Sequence, residues 1–193
     1  MTPFGSDVRI LKSRVRYSTP GGTVAIYEFE GMRPKIGAST YVHPSAEVIG
    51  DVTIGEDCFI APFASLRGDL GGITVGDGTN LQEGCVLHGV TVLGKNNHLT
   101  HHAIVHVATT GDNVMLGMGA IVMDFAEIGE GCIIGAGALV LPGTKIPPGK
   151  TVVGAPARVI GDVSERARQD YLAGLGHYQT FPRRYALGLK QIG

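Results

Sequence analysis

Four of the seven histidines in this chain fall within NNHLTHHAIVH, residues 96–106, and a fifth, His88, lies just upstream. A neutral imidazole nitrogen binds divalent metals, and the ring exchanges protons near neutral pH, so such a cluster points to metal-assisted or acid–base chemistry. Histidine is also an ordinary surface residue, and adjacent pairs such as His101 and His102 arise by chance. What separates the two readings is spacing. His88 and His106 lie eighteen residues apart, a number that matters only if the chain around them has a matching period.

It has one. An aliphatic residue recurs at every sixth position through Val42, Val48, Ile54, Ile60 and Leu66, then through Val75, Leu81, Leu87, Leu93, Leu99 and Val105. A third run takes in Leu116, Val122, Ile128, Ile134, Val140, Ile146 and Val152. Four places after most of these stands a small residue, among them Ala46, Val52, Thr79, Ala103 and Ala138, and the three cysteines, Cys58, Cys85 and Cys132, occupy this same slot. A six-residue period suits neither an amphipathic helix nor a heptad, but it matches a short strand followed by a tight turn. Side chains alternate across a strand, so the aliphatic and the small residue both turn inward while Gly, Asp or Asn takes the corner. Three hexads make one coil, and successive coils stack as parallel strands about 4.8 Å apart. The predicted fold is an all-β solenoid, a parallel β-helix of hexapeptide repeats.

The beat breaks twice, with three extra residues around RGDLGG between Leu66 and Val75 and one residue missing between Val105 and Leu116. Both breaks flank the histidines. The pattern divides the chain into an N-terminal extension over 1–26, the β-helix over 27–161 and a helical segment over 162–193. In that last segment Ser164 is placed to cap a helix whose Val163, Ala167, Tyr171 and Leu172 face the solenoid. Gly174, Gly176 and Pro182 interrupt it, which predicts two short helices covering a face or an end.

His88 follows Leu87 and His106 follows Val105, so both hold the same slot one coil apart. Their Cα atoms should lie about 4.8 Å apart, close enough for both rings to bind one ion at about 2.0–2.1 Å. His101 and His102 lie one hexad before His106, on a neighbouring face, and neither should reach that ion within one chain. A hydrolytic or hydration site needs three protein ligands and an open position for water. The third ligand must then come from another subunit, which predicts a homotrimer with three metal sites.

With 16 basic and 17 acidic residues in 193, the chain offers no basic face for nucleic acid and no polybasic membrane patch. No apolar run approaches a membrane-spanning length. Three sparse cysteines do not make a disulfide framework and fit a reducing cytoplasm. The partners expected are a small-molecule substrate and further copies of the chain.

Beyond the period, SLRGDLGGITVGDGTNLQEGCVLH, then HHAIVH and LGMGAIVMDFAEIGEGCIIGAGALV, resemble the γ-class carbonic anhydrase family. The resemblance implies a left-handed coil, which the spacing alone does not report. It implies His88, His101 and His106 as metal ligands, with His102 pointing elsewhere and His98 exposed to solvent. Arg67 and Asp69 match an ion pair at the trimer interface, while Asn80 and Gln82 match the polar residues that orient the bound water or the substrate. Glu83 stands where relatives usually carry Asp. The implied metal is Zn2+, with Co2+ or Fe2+ accepted by the same ligands, and the implied reaction is reversible hydration of CO2 to bicarbonate by a metal-bound hydroxide. The family's acidic loop is replaced here by GVTVLGKNN, which leaves exposed His98 or His102 to export the proton.

YVHPSAEVIGDVTIG, GHYQTFPRR and VVGAPARVI resemble one subgroup in particular, the phenylacetic acid degradation and carnitine operon proteins. That subgroup implies a metal-dependent trimer with weak carbonic anhydrase or acyl-CoA thioesterase activity. Two further classes share the solenoid: hexapeptide acyltransferases, which use one catalytic His without a metal, and structural subunits that keep a site but no turnover.

Overall fold

Almost every hexad folds into a strand of two or three residues followed by a corner, and the strands fall into three parallel stacks. A computed structural model describes residues 18–19 and 22–192. Most of the N-terminal extension, residues 1–17 and 20–21, lies outside the described residues. The first face carries Val86–His88, Ile104–His106, Ile121–Val122 and Leu139–Val140, and the second carries Thr91–Leu93, Thr109–Thr110, Glu127–Ile128 and Lys145–Ile146. Tyr41–Val42, Phe59–Ile60, Asn80–Leu81, His98–Leu99, Met115–Leu116, Ile133–Ile134 and Lys150–Val153 make the third. Two longer strands, Glu47–Ile54 and Ser65–Val75, run through a corner and join the first and second faces. The result is a left-handed parallel β-helix, closed on its third face by the antiparallel strand Arg158–Asp162.

Every aliphatic position of the six-residue beat is buried, none more than 5% exposed. The small slot is buried as well, and Cys58, Cys85 and Cys132 are free thiols within it. Burial pushes the Cys58 thiol up to about 11 and the Cys85 thiol up to about 12, so both stay protonated and inert at neutral pH. At the corner between the second and third faces the backbones of successive coils come very close at Gly76. A Cβ on Gly76 would stand 2.5 Å from the carbonyl carbon of Gly94, closer than any real side-chain contact.

The breaks in the beat have different structural outcomes. The extra residues near Gly68 are absorbed by Ser65–Val75 as continuous extended chain, with a register shift against the strand below between Gly50 and Val52. The missing residue shortens one coil, so Thr110 rather than an aliphatic side chain stands between Leu93 and Ile128. Its hydroxyl accepts from Asn97 Nδ2 at 2.6 Å, and Asn97 Oδ1 accepts from the Val114 amide at 2.6 Å. These bonds satisfy the polar groups that the short coil buries.

Two helices, α1 (Glu165–Tyr178) and α2 (Phe181–Gly188), follow the solenoid. Ser164 caps α1 as expected, accepting from the Ala167 amide at 3.2 Å. The inward side chains of α1 are Tyr171 and Leu175, whereas Leu172 is 45% exposed. Gly174 and Gly176 lie within α1 and do not break it; the interruption comes just before Pro182. Both helices cover the third face, where Phe59 meets Tyr185 and Phe181 with ring centroids 4.9 and 5.3 Å apart. No described helix is long and apolar enough to cross a membrane.

Candidate metal centre

The in-register pairing of Val86–His88 with Ile104–His106 sets His88 directly against His106 on adjacent rungs. Their ring centroids are 5.1 Å apart, and His106 Nε2 lies 3.1 Å from His88 Nδ1. The remaining nitrogen of each ring meets a carboxylate: His88 Nε2 lies 3.1 Å from Asp69 Oδ1, and His106 Nδ1 lies 3.1 Å from Asp124 Oδ1. A histidine that ligates a metal is neutral, and in that form each ring points its one N–H at its carboxylate, which only accepts. The lone pairs of His88 Nδ1 and His106 Nε2 are thereby turned towards each other. Two lone pairs at that distance repel unless a cation lies between them, and two nitrogen ligands of a tetrahedral ion at 2.0–2.1 Å stand about 3.3 Å apart. The donor set therefore fits a divalent metal.

Asp69 is itself anchored by Arg67, whose Nη1 lies 2.5 Å from Asp69 Oδ2. Partial desolvation pushes the Asp69 carboxyl up, but the hydrogen bonds from Arg67 and His88 and the Arg67 charge outweigh it and hold the group below the usual carboxylate range. An Arg67–Asp69 ion pair is thus present within the chain, and Asp69 reaches a histidine. Asp124 had no place in the sequence reading. It lies eighteen residues beyond His106, one ordinary coil, but the short coil moves it one place past the slot that continues His88 and His106. Hexad register hid it; a plain count of eighteen from His106 finds it.

His101 sits at the opposite edge of the first face, at the corner arriving from the third. Its Nδ1 lies 2.7 Å from Glu83 Oε2, which leaves Nε2 as the nitrogen available for an ion. It stands five positions before His106, with the corner at His101 and His102 and the strand Ile104–His106 between them. Among the described residues no three His, Cys, Asp or Glu side chains of one chain converge on a common point. His102 turns the same corner with φ 59°, its ring lying over Gly84, where a Cβ would fall 2.3 Å from His102 Nδ1.

Each of the two edges also shows bare apolar side chains. Backbone hydrogen bonds place Phe63 one rung below the Glu83 corner and Met118 one rung above His101, and these two are 72% and 58% exposed. At the other edge Val90 follows His88 and Phe125 follows Asp124, 54% and 71% exposed. Phe63 and Phe125 both hold φ near +60°, a left-handed conformation that bulky residues rarely adopt.

His98 overturns the expectation of an exposed relay. It is 5% exposed on the third face, and covering by α1, which the hexad pattern does not report, is the reason. Its Nδ1 lies 2.9 Å from Asn80 Nδ2 and its Nε2 lies 3.2 Å from Gln82 Nε2; both of these residues are also buried. Desolvation, aided by the nearby His101, lowers the His98 pKa to about 4. Because the folded value lies below the ordinary 6.5, the unfolded chain binds the proton more tightly between the two. The contribution of His98 is fully present above pH 6.5 and is lost as pH falls towards 4, by about 3 kcal/mol. Urea unfolding at pH 7 and pH 4 will show this loss in the native chain and a smaller one in His98→Gln.

The three-faced left-handed coil with aliphatic and small residues alternating inward defines the class of hexapeptide-repeat proteins, and the family described as bacterial transferase hexapeptide (six repeats) matches residues 33–68 and 108–142. The chain belongs to the family of carnitine operon protein CaiE: it is 39% identical to the CaiE of Proteus sp. (strain LE138) over 170 residues, 86% of each chain. The CaiE of Escherichia coli K12 is 40% identical over 146 residues, 74% of each. Among solved structures, a hexapeptide transferase family protein from Anaplasma phagocytophilum superposes with a TM-score of 0.81 at 34% identity, covering 83% of this chain and 98% of that one.

Proposed function

We propose that the chain adds water to a small carbonyl substrate, CO2 in the first place, at a metal centre completed between two copies. The observation that carries this reading is the pair of facing nitrogens, His88 Nδ1 and His106 Nε2, each fixed from behind by a carboxylate. A Zn2+ ion bound there supplies a Lewis acid that lowers the pKa of coordinated water from about 15.7 to near 7. Asp69 and Asp124 hold the two ring N–H groups, which sets both tautomers and raises the basicity of the donating nitrogens. Arg67 keeps Asp69 in place. His101 of a second copy offers the third nitrogen, with Glu83 holding its other one. Gln82, next to Glu83, and Asn80 are assigned to orient the reacting oxygen or the substrate, from positions that are buried in the single chain.

The need for a second copy rests on the separation of the two edges and on the apolar side chains beside them. Each copy presents one His101 edge with Phe63 and Met118, and one His88 edge with Val90 and Phe125. Three copies joined head to tail through unlike edges in a closed ring would use every edge once. Co2+ or Fe2+ would be accepted by the same nitrogens. An acyl-CoA thioester offers the same kind of electrophilic carbonyl and is the alternative substrate.

A second reading, metal-free acyl transfer with one histidine as general base, is favoured by the transferase description of the family and of the Anaplasma phagocytophilum relative. Elemental analysis combined with stopped-flow CO2 hydration and a panel of acyl-CoA thioesters, run with and without amine or alcohol acceptors, separates the two. The metal reading expects bound metal, with turnover lost to a chelator and restored by Zn2+. Undiminished acyl transfer by metal-free protein would replace it with the second.

A further inference from the structure

We propose that His98 is a positioning residue: from beneath α1 its ring clamps the side-chain amides of Asn80 and Gln82 and fixes which atom Gln82 turns towards the reacting centre. The proposal rests on the reading above for the role of Gln82, but the clamp itself is a statement about three buried side chains.

A neutral imidazole carries one N–H and one lone pair. The NH2 groups of both amides face it, Asn80 Nδ2 2.9 Å from Nδ1 and Gln82 Nε2 3.2 Å from Nε2. The ring accepts from only one of them, so the other amide has to turn its carbonyl oxygen to the ring N–H. An amide on its own can turn over, exchanging NH2 for C=O at little cost. Held by a ring with a single tautomer, neither amide here can turn without leaving a buried donor facing a donor. The tautomer of His98 therefore decides whether Gln82 presents its NH2 or its oxygen outward.

The ring itself is held by α1. Tyr178 meets it edge-on with centroids 5.1 Å apart, and Tyr171 meets it at 90° with centroids 6.4 Å apart. Gly174 lies over it, where a Cβ would make ordinary contact with Nε2 at 3.8 Å. The ring is neutral across the working pH range. It therefore offers a constant pattern of one donor and one acceptor, and no proton passes through it.

The test compares His98→Phe, which keeps a ring between the tyrosines but removes both nitrogens, with His98→Gln, which restores one carbonyl and one NH2. His98→Phe is expected to keep its metal content and lose about tenfold in kcat, with KM little changed. The loss should be equal from pH 6 to 9 and unmoved by added imidazole, and His98→Gln should recover most of it. In NMR spectra of the native chain, His98 should show one neutral tautomer, and the side-chain NH2 signals of Asn80 and Gln82 should exchange slowly, a protection lost in His98→Phe. Unchanged kcat and unchanged amide signals in His98→Phe would overturn the clamp. So would rescue by imidazole, which would make His98 a proton carrier, or a mixture of tautomers in the native chain. If the native chain shows the single tautomer and the protected amides yet hydrates nothing and cleaves no thioester, the clamp stands and the metal reading falls.

Discussion

If the proposed metal centre is correct, replacing His106 by alanine is expected to strip the metal from the purified protein and lower turnover by more than about a hundredfold, since losing merely a carboxylate partner of a metal-bound histidine costs 10- to 100-fold. The expectation follows from geometry on both sides of the ring. His106 Nε2 faces His88 Nδ1 at 3.1 Å, and its Nδ1 is held by Asp124. Without His106 one of two convergent donors is gone, and the single nitrogen left on this edge holds an ion weakly. Asp124→Asn should fall between the native chain and His106→Ala in metal affinity, because the ring stays but its tautomer is no longer fixed. His102→Ala is the internal comparison: it shares the cluster but lies over Gly84, and it should retain metal and turnover. Metal per chain after dialysis, read beside the hydration rate, checks all three. Full metal content in His106→Ala would remove the site.

The second large effect is structural. Leu87→Ala should destabilise the protein by about 2–5 kcal/mol, the range for deleting a buried leucine side chain. Leu87 is fully buried and stacks between Leu66 below and Val105 above in exact register. The rungs are tied to one another by backbone hydrogen bonds, so the coil cannot collapse into the space and a cavity remains. The next residue is His88, and loosening the three-residue strand Val86–His88 should weaken metal retention as well. Val92→Ala, at an outward position 42% exposed on the second face, should change stability by no more than about 0.5 kcal/mol. Urea unfolding at one fixed protein concentration measures both, since assembly would otherwise shift the midpoint.

Much of the fold can be read from the chain because a six-residue period is a strong, redundant signal: Leu87 and Val105, and Val122 and Val140, stack as their eighteen-residue spacing requires. The same arithmetic placed His88 against His106. It failed where structure departs from the period. Asp124 was displaced by the missing residue after Val105, and Thr110 entered the core for the same reason. Outward positions carry no period at all, so nothing in the hexads distinguished His98, buried under α1, from a histidine left in water. The helices posed a related difficulty. Glycine weakens an isolated helix, yet Gly174 sits inside α1 because the face beneath it supplies the packing that propensity lacks.

The placement of α1 and α2 alters how this molecule should come apart. A repeat array is nearly one-dimensional: each unit touches only its neighbours, and its ends can fray independently. Here the segment that emerges from the last rungs doubles back to the early ones, where Tyr171 donates to the Asn96 carbonyl and Gln179 reaches Gly78, 101 residues away in sequence. With Tyr185 packed against Tyr41 on the first rung of the third face, that clasp ties the last rungs to the middle and early ones as one cooperative unit, so peeling the C-terminal segment should precede and permit the unzipping of the coils it spans.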